Sequence, residues 1–294
     1  MSFSFPYHFV FPSEEEKVHR RELIDLRGSY AQWSVIVVIV ALRAIQSWNI
    51  AIAQASGTSQ PHRRPISWWD RPPIPGWLET RRQHLVCGLW LLWLVSLSIW
   101  NSGDDYLHLT KALGHVGLSQ IPLQVLMSPA AYITSKPSAS SVLSFVTSIP
   151  QGTLTPYHRL FGRLVISPLL FSHATLYLLF FVQSEHPEFG ILLAKRVQDL
   201  DVQCGLVALS AAIALLLFAR PRGVTQKGDS RVRAAGSMQN RKRSFYFVHV
   251  SLVVVLCFAA YFHVHQARFY MVQTLGASVL NSLCSLAMVR FEGL

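Results

Sequence analysis

Apolar residues in this chain gather into long runs separated by short charged or proline-rich stretches. Seven runs stand out: about 33–55, 85–101, 113–135, 157–183, 202–219, 244–263 and 269–289. A helix needs about 20 mainly apolar residues to cross the hydrocarbon core of a bilayer. The pattern therefore predicts an all-α membrane protein with about seven transmembrane helices. The second run is short, and the third holds Pro122 and Pro129. Such prolines are tolerated inside a lipid-embedded bundle, where neighbouring helices satisfy the freed backbone groups. The first 30 residues are charged and aromatic. They show no apolar core leading into a small-residue cleavage site, so no cleavable signal peptide is expected.

Composition agrees. Hydrophobic types make up 51% of the 294 residues and charged types 14%, with a mean hydropathy of +0.32. Soluble domains carry about 25% charged residues, so an ordinary cytosolic enzyme is excluded, and the apolar content excludes a mainly disordered chain. Cys87, Cys204, Cys257 and Cys284 sit far apart in apolar runs. They form neither a disulfide framework nor a zinc spacing. Net charge is +11, but the bases lie in the loops, with no aromatic-interleaved basic patch. That pattern signals topology and attraction to anionic lipid headgroups, and no nucleic-acid partner is expected. With the N-terminus outside and the C-terminus cytoplasmic, inside segments hold 15 Lys and Arg and outside segments 8. The excess on the inner side favours this orientation. The stretch 220–243 decides it, with Arg220, Arg222, Lys227, Arg231, Arg233, Arg241, Lys242 and Arg243 against Asp229. A multi-pass protein of the plasma membrane is expected.

Ionisable residues at membrane depth are costly and usually functional. Of 12 histidines, four fall in two runs as two pairs: His158 with His173, and His249 with His263. A separation of 14 residues rotates the second pair by about −40°, and 15 residues rotate the first by about +60°. Each pair thus shares one broad helix face, with its members about 21–22 Å apart along the axis. Two such helices side by side would offer imidazole pairs at two depths, His158 with His249 and His173 with His263. Neutral imidazole is a good axial ligand for haem iron. Zinc would need four ligands converging at one point, which this spacing does not offer. His265 points nearly opposite to His263. His8, His19, His62 and His186 fall in loops or tails, and His84, His108 and His115 near helix ends.

Three stretches carry a resemblance. TPYHRLFGRLVISPLLFSHATLY at 155–177, RKRSFYFVHVSLVVVLCFAAYFHVH at 241–265 and GLSQIPLQVLMSP at 117–129 resemble the ferric reductase-like transmembrane domain of fungal ferric-chelate reductases and NADPH oxidases. The resemblance spans about 113–290. It implies a bis-haem core of four to six helices, with two b-type haems held by His158, His173, His249 and His263. It also implies transmembrane electron transfer, with Fe(III) as the leading acceptor and oxygen as its rival. Together with the apolar runs and loop charges, this gives an extracytoplasmic segment at 1–31, two helices with a basic cytoplasmic loop at 32–112, the haem domain at 113–290 and a tail at 291–294.

The sequence departs from that family in two places. The first pair is 15 apart where the family usually has 14, and Pro168 lies between its members. A local π-bulge or kink would absorb the extra residue. Secondly, nothing in the chain offers a Gly-rich phosphate loop or a dinucleotide fingerprint. FAD and NADPH are expected only through a separate cytosolic flavoprotein reductase or a missing C-terminal region, and the chain alone is expected to be an incomplete oxidoreductase. No residue is assigned a catalytic role.

Arg159 and Arg163 lie one turn apart at the cytoplasmic end of the fourth run. They suit paired contact with haem propionates, or else anchor the helix at the inner interface. Arg43 lies within the first run, where its charge needs a partner. Two other functions match the same topology: a seven-helix receptor, and a haem-free assembly subunit, for example of an iron permease in metal ion transport. Neither gives the histidine pairs a purpose.

Overall fold

In the computed structural model the described residues are 10, 12–56, 67–129, 140–183, 189–218 and 231–291, with side chains omitted at 182–183, 189–190, 231–243 and 289–291. Arg220, Arg222 and Lys227 of the orienting basic stretch, with His8, His62 and His186, lie outside them. Every regular element among the described residues is helical. Six helices are long and apolar enough to cross a membrane, at Glu14–Ala55, Arg81–Ile99, Gln151–Phe181, Leu200–Phe218, Ser244–His263 and Ala267–Met288. The protein is an all-α, multi-pass integral membrane protein. The chain forms two compact units, Met1–Glu185 with Val272–Leu294, and His186–Met271.

In the first unit α1 spans Glu14–Ala55, α2 Arg81–Ile99, α3 Tyr106–Ser119, α4 Ile121–Leu126, α5 Val142–Thr147, α6 Gln151–Phe161 and α7 Ser167–Gln183. Starts are marked by side-chain caps. Ser13 with Glu16 and Thr80 with Gln83 form capping boxes, and Asp105 accepts from Leu107 N–H; each cap satisfies N–H groups that a helix start leaves open. The run expected as a third span, 113–135, differs from expectation. It is a helix broken at Gln120, starting earlier, at Tyr106, and ending at Leu126, while 130–135 lie outside the described residues. Pro122 is the physical reason, since it cannot donate to a carbonyl of the preceding turn. Gln120 is fully buried at the break, where Oε1 accepts from Trp90 Nε1 at 3.1 Å and Nε2 donates to Ser119 Oγ at 3.1 Å.

The unbroken part of that span, α3, packs against α1, α2 and α7 and is buried along most of its length. Tyr106 Oη donates to Leu176 O at 2.7 Å, which ties α3 to α7. Near the other end two buried amides join segments. Asn281, on α11 (Ala267–Phe291), accepts from Val142 N–H at 2.7 Å and donates to Ser128 O at 2.6 Å. Gln151 accepts from Ser141 N–H at 3.0 Å and donates to Met127 O at 3.1 Å. Arg43, exposed along α1, donates to Ser148 Oγ.

In the second unit α8 spans Phe189–Val197, α9 Leu200–Phe218 and α10 Arg231–His263. α9 and α10 pack as an antiparallel hairpin, with the start of α9 beside the end of α10. Ala211 and Ala212 on α9 and Ala259 and Ala260 on α10 are buried. Small residues let membrane helices approach closely, which matters because lipid gives little hydrophobic drive to pair them.

Candidate functional site: the histidine cradles

His173 on α7 and His263 at the end of α10 are held in the same way. His173 Nδ1 lies 2.8 Å from Thr110 O, and His263 Nδ1 lies 2.6 Å from Asp201 O. A main-chain carbonyl can only accept, so Nδ1 must carry the hydrogen in both rings. Nε2 then keeps its lone pair, which is the atom a neutral histidine offers to a metal. Each ring also rests on a glycine four residues beyond its carbonyl partner. A Cβ at Gly114 would stand 2.8 Å from His173 Cγ, and one at Gly205 would stand 2.7 Å from His263 Cε1.

His158 on α6 uses a third carbonyl. Its Nδ1 lies 2.9 Å from Gln124 O, while Gln124 Nε2 donates back to His158 O at 2.7 Å. Gly162 leaves room for that amide, since a Cβ there would stand 3.0 Å from Gln124 Nε2. The broken helix α3–α4 therefore supports both candidate ligands of its unit, His158 and His173, from carbonyls at Gln124 and Thr110. His249 on α10 stacks on Phe245 with ring centroids 5.5 Å apart. All four rings are half-buried.

The 15-residue spacing has a local explanation. Residues Gly162–Ile166 form a π-helical turn between α6 and α7, in which Ser167 N–H donates to Gly162 O, five residues back. Ser167 Oγ donates to the same carbonyl at 2.7 Å. A π turn holds one residue more than an α turn, so His158 and His173 are related as if 14 apart, the spacing of His249 and His263. Pro168 follows at once. It has no N–H for the carbonyl four residues back, and its ring would press on that carbonyl in a regular helix.

Arg159 and Arg163 converge on Glu79, which precedes α2. Arg163 donates to Glu79 Oε1 at 2.7 Å, and Arg159 Nε lies 3.3 Å from the same oxygen. Glu79 is buried, and nothing in the sequence pattern singled it out. A second unforeseen cluster lies at the opposite end of the unit. Arg27 is fully buried and reaches His108 Nε2 at 2.8 Å and Trp100 O. Arg20 pairs with Asp105, and His115 Nε2 lies 3.4 Å from Asp25. Because an arginine only donates, His108 Nε2 accepts and the ring is neutral.

A sequence profile described as "Ferric reductase like transmembrane component" matches residues 113–260. The chain belongs to the ferric reductase-like transmembrane family. The family match covers His158, His173 and His249, and His263 follows three residues beyond it. No curated protein and no solved structure matches the chain.

Haem, which this family typically binds, suits the donor chemistry. Three imidazoles have their tautomer set by backbone carbonyls, the outer-shell partner that metal-bound histidines usually have. Among the described residues no group of three or more His, Cys, Asp or Glu side chains could hold a metal ion. The carbonyl partners escape sequence reading because a backbone oxygen has no residue identity. Gly114 and Gly205 are visible in the sequence, but only the packing of the rings on them gives them meaning.

Proposed function

We propose that this protein carries electrons across the plasma membrane through two b-type haems, held by His158 with His249 and by His173 with His263. Fe(III) chelate is reduced at the outer face. The N-terminus lies outside and the C-terminus in the cytoplasm. Electrons originate from NADPH through FAD, carried by a cytosolic flavoprotein or a further C-terminal region, and an iron permease is a fitting consumer of the Fe(II) released.

The observation that carries this reading is the shared treatment of His158, His173 and His263. Each gives its Nδ1 hydrogen to a main-chain carbonyl, which sets the tautomer in which a neutral imidazole ligates a metal through Nε2. Haem, when bound, supplies the one-electron carrier. The protein's residues do the rest. The carbonyls of Gln124, Thr110 and Asp201 orient the rings and raise their basicity as ligands. Apolar helices keep water away, which with ligation tunes the redox potential. Arg159 and Arg163 share one carboxylate, which leaves an excess positive charge beside His158 for the propionates at that level.

An optical spectrum of the purified protein tests the reading. A Soret band with low-spin bis-histidine features is expected. His249→Ala should lose haem, whereas His265→Ala should keep it, because His265 lies in the turn beyond the end of α10. Full haem content in both variants refutes the ligand assignment.

A further inference from the structure

From the two glycine contacts we infer that Gly114 and Gly205 are positioning residues, setting the depth and plane of the His173 and His263 imidazoles and hence the ligand field at that level. The inference rests on the two-haem reading above. A Cβ at Gly114 would stand 2.8, 2.9 and 3.1 Å from His173 Cγ, Nδ1 and Cδ2. At Gly205 it would stand 2.7, 2.8 and 3.3 Å from His263 Cε1, Nδ1 and Nε2. Carbon atoms in ordinary contact sit about 3.5 Å apart, so each ring would have to retreat by roughly 0.7 Å. It is not free to do so. Its Nδ1 is tethered at 2.8 or 2.6 Å to a carbonyl on the same helix as the glycine, and such a bond weakens beyond about 3.2 Å.

The arrangement occurs twice, on α3 and on α9, one in each unit. In both the accepting carbonyl belongs to the residue four positions before the glycine, so the ring lies flat along one helical turn. Other helical glycines behave differently. Gly88 and Gly276 have nothing within 4 Å of an added Cβ, and the atoms nearest to one at Gly117 on α3 belong to Leu169 and Leu170, at 3.1 and 3.2 Å. A methyl at Gly114 or Gly205 tilts the ring or stretches its hydrogen bond. Either change alters what Nε2 presents to an iron, because outer-shell hydrogen bonds set ligand basicity and orientation.

The test uses the full chain carrying Gly114→Ala, Gly205→Ala, or the control Gly117→Ala, which crowds the same helix without touching a ring. Electron paramagnetic resonance of the oxidised protein and redox titration of the Soret band are the readouts. Gly114→Ala and Gly205→Ala should each shift or abolish the same one of two low-spin signals and leave the other in place. Gly117→Ala should leave both at their parental positions. Parental signals and potentials in both ring-facing variants overturn the inference, as does an equal shift in Gly117→Ala. Should Gly114→Ala fail to accumulate, His173→Ala/Gly114→Ala decides. Accumulation at the level of His173→Ala supports a clash specific to the ring, and failure of the double variant overturns it. A parent protein without haem absorption refutes the electron-transfer reading itself, and the ligand-field role falls with it. The same double variant then still judges the clash alone.

Discussion

Replacing Glu79 by Gln removes one negative charge from between two arginines and keeps the side-chain shape. Two opposite charges about 4 Å apart attract by about 4 kcal/mol at an effective dielectric near 20. That figure is an upper bound here, because Arg159 and Arg163 keep 31% and 36% of their side chains exposed, and exposed pairs contribute about 1 kcal/mol or less. The Glu79–Arg163 pair, at 2.7 Å with a hydrogen bond, should couple by about 1.5–2 kcal/mol, between those limits. Arg159, at 3.3 Å with Nε poorly aligned, should couple by less than about 1 kcal/mol. A double-mutant cycle reads these values directly. Glu79→Gln, Arg163→Gln and the double variant are unfolded from detergent by increasing SDS, and the cycle is repeated with Arg159→Gln. Arg163 coupling should exceed Arg159 coupling. Coupling near zero for Arg163, or the reverse order, refutes the assignment of Glu79 as the shared anion. Under the electron-transfer proposal the same variant leaves more positive charge beside His158, which favours the reduced state. The potential of one haem should rise.

Two further outcomes test the frame around the histidines. Asn281→Leu removes a buried amide that serves Val142 N–H and Ser128 O; stranding these groups costs about 1–3 kcal/mol each, partly offset by the leucine's apolar contacts, so SDS resistance should fall by about 2–4 kcal/mol. An unchanged midpoint would contradict the contacts. Deleting Leu164 together with Pro168→Ala should convert the π turn to α-helix and preserve the relation of His158 to His173. Haem content should match the parent, and its loss would show that the wide turn does more than absorb one residue.

Much of the architecture could be read directly from the apolar runs. A segment that crosses the bilayer needs about 20 mainly apolar residues, so the runs at 33–55, 85–101, 157–183, 202–219, 244–263 and 269–289 each overlap a long helical stretch among the described residues. The 113–135 run misled because Pro122 and the polar Gln120 interrupt hydrogen bonding without interrupting hydropathy. The helix also starts at Tyr106, where Asp105 caps it, although 104–111 is polar enough to read as a loop. Arg27, His108 and His115 gave no apolar signal, yet all three are buried. Their burial depends on α1 and α3 packing together, which local pattern does not encode.

Periodicity along one helix is a property of a chain segment, so the two histidine spacings and the need for a wide turn before Pro168 were already present in the residue order. What holds each imidazole is a contact between segments. Thr110, Gln124 and Asp201 act through backbone oxygens that every residue possesses, Gly114 and Gly205 through the absence of a side chain, and Glu79 through a position 80 or more residues away from the arginines it serves. Such roles arise only when the helices are packed, because they depend on which surfaces meet and not on the chemistry that any one residue carries.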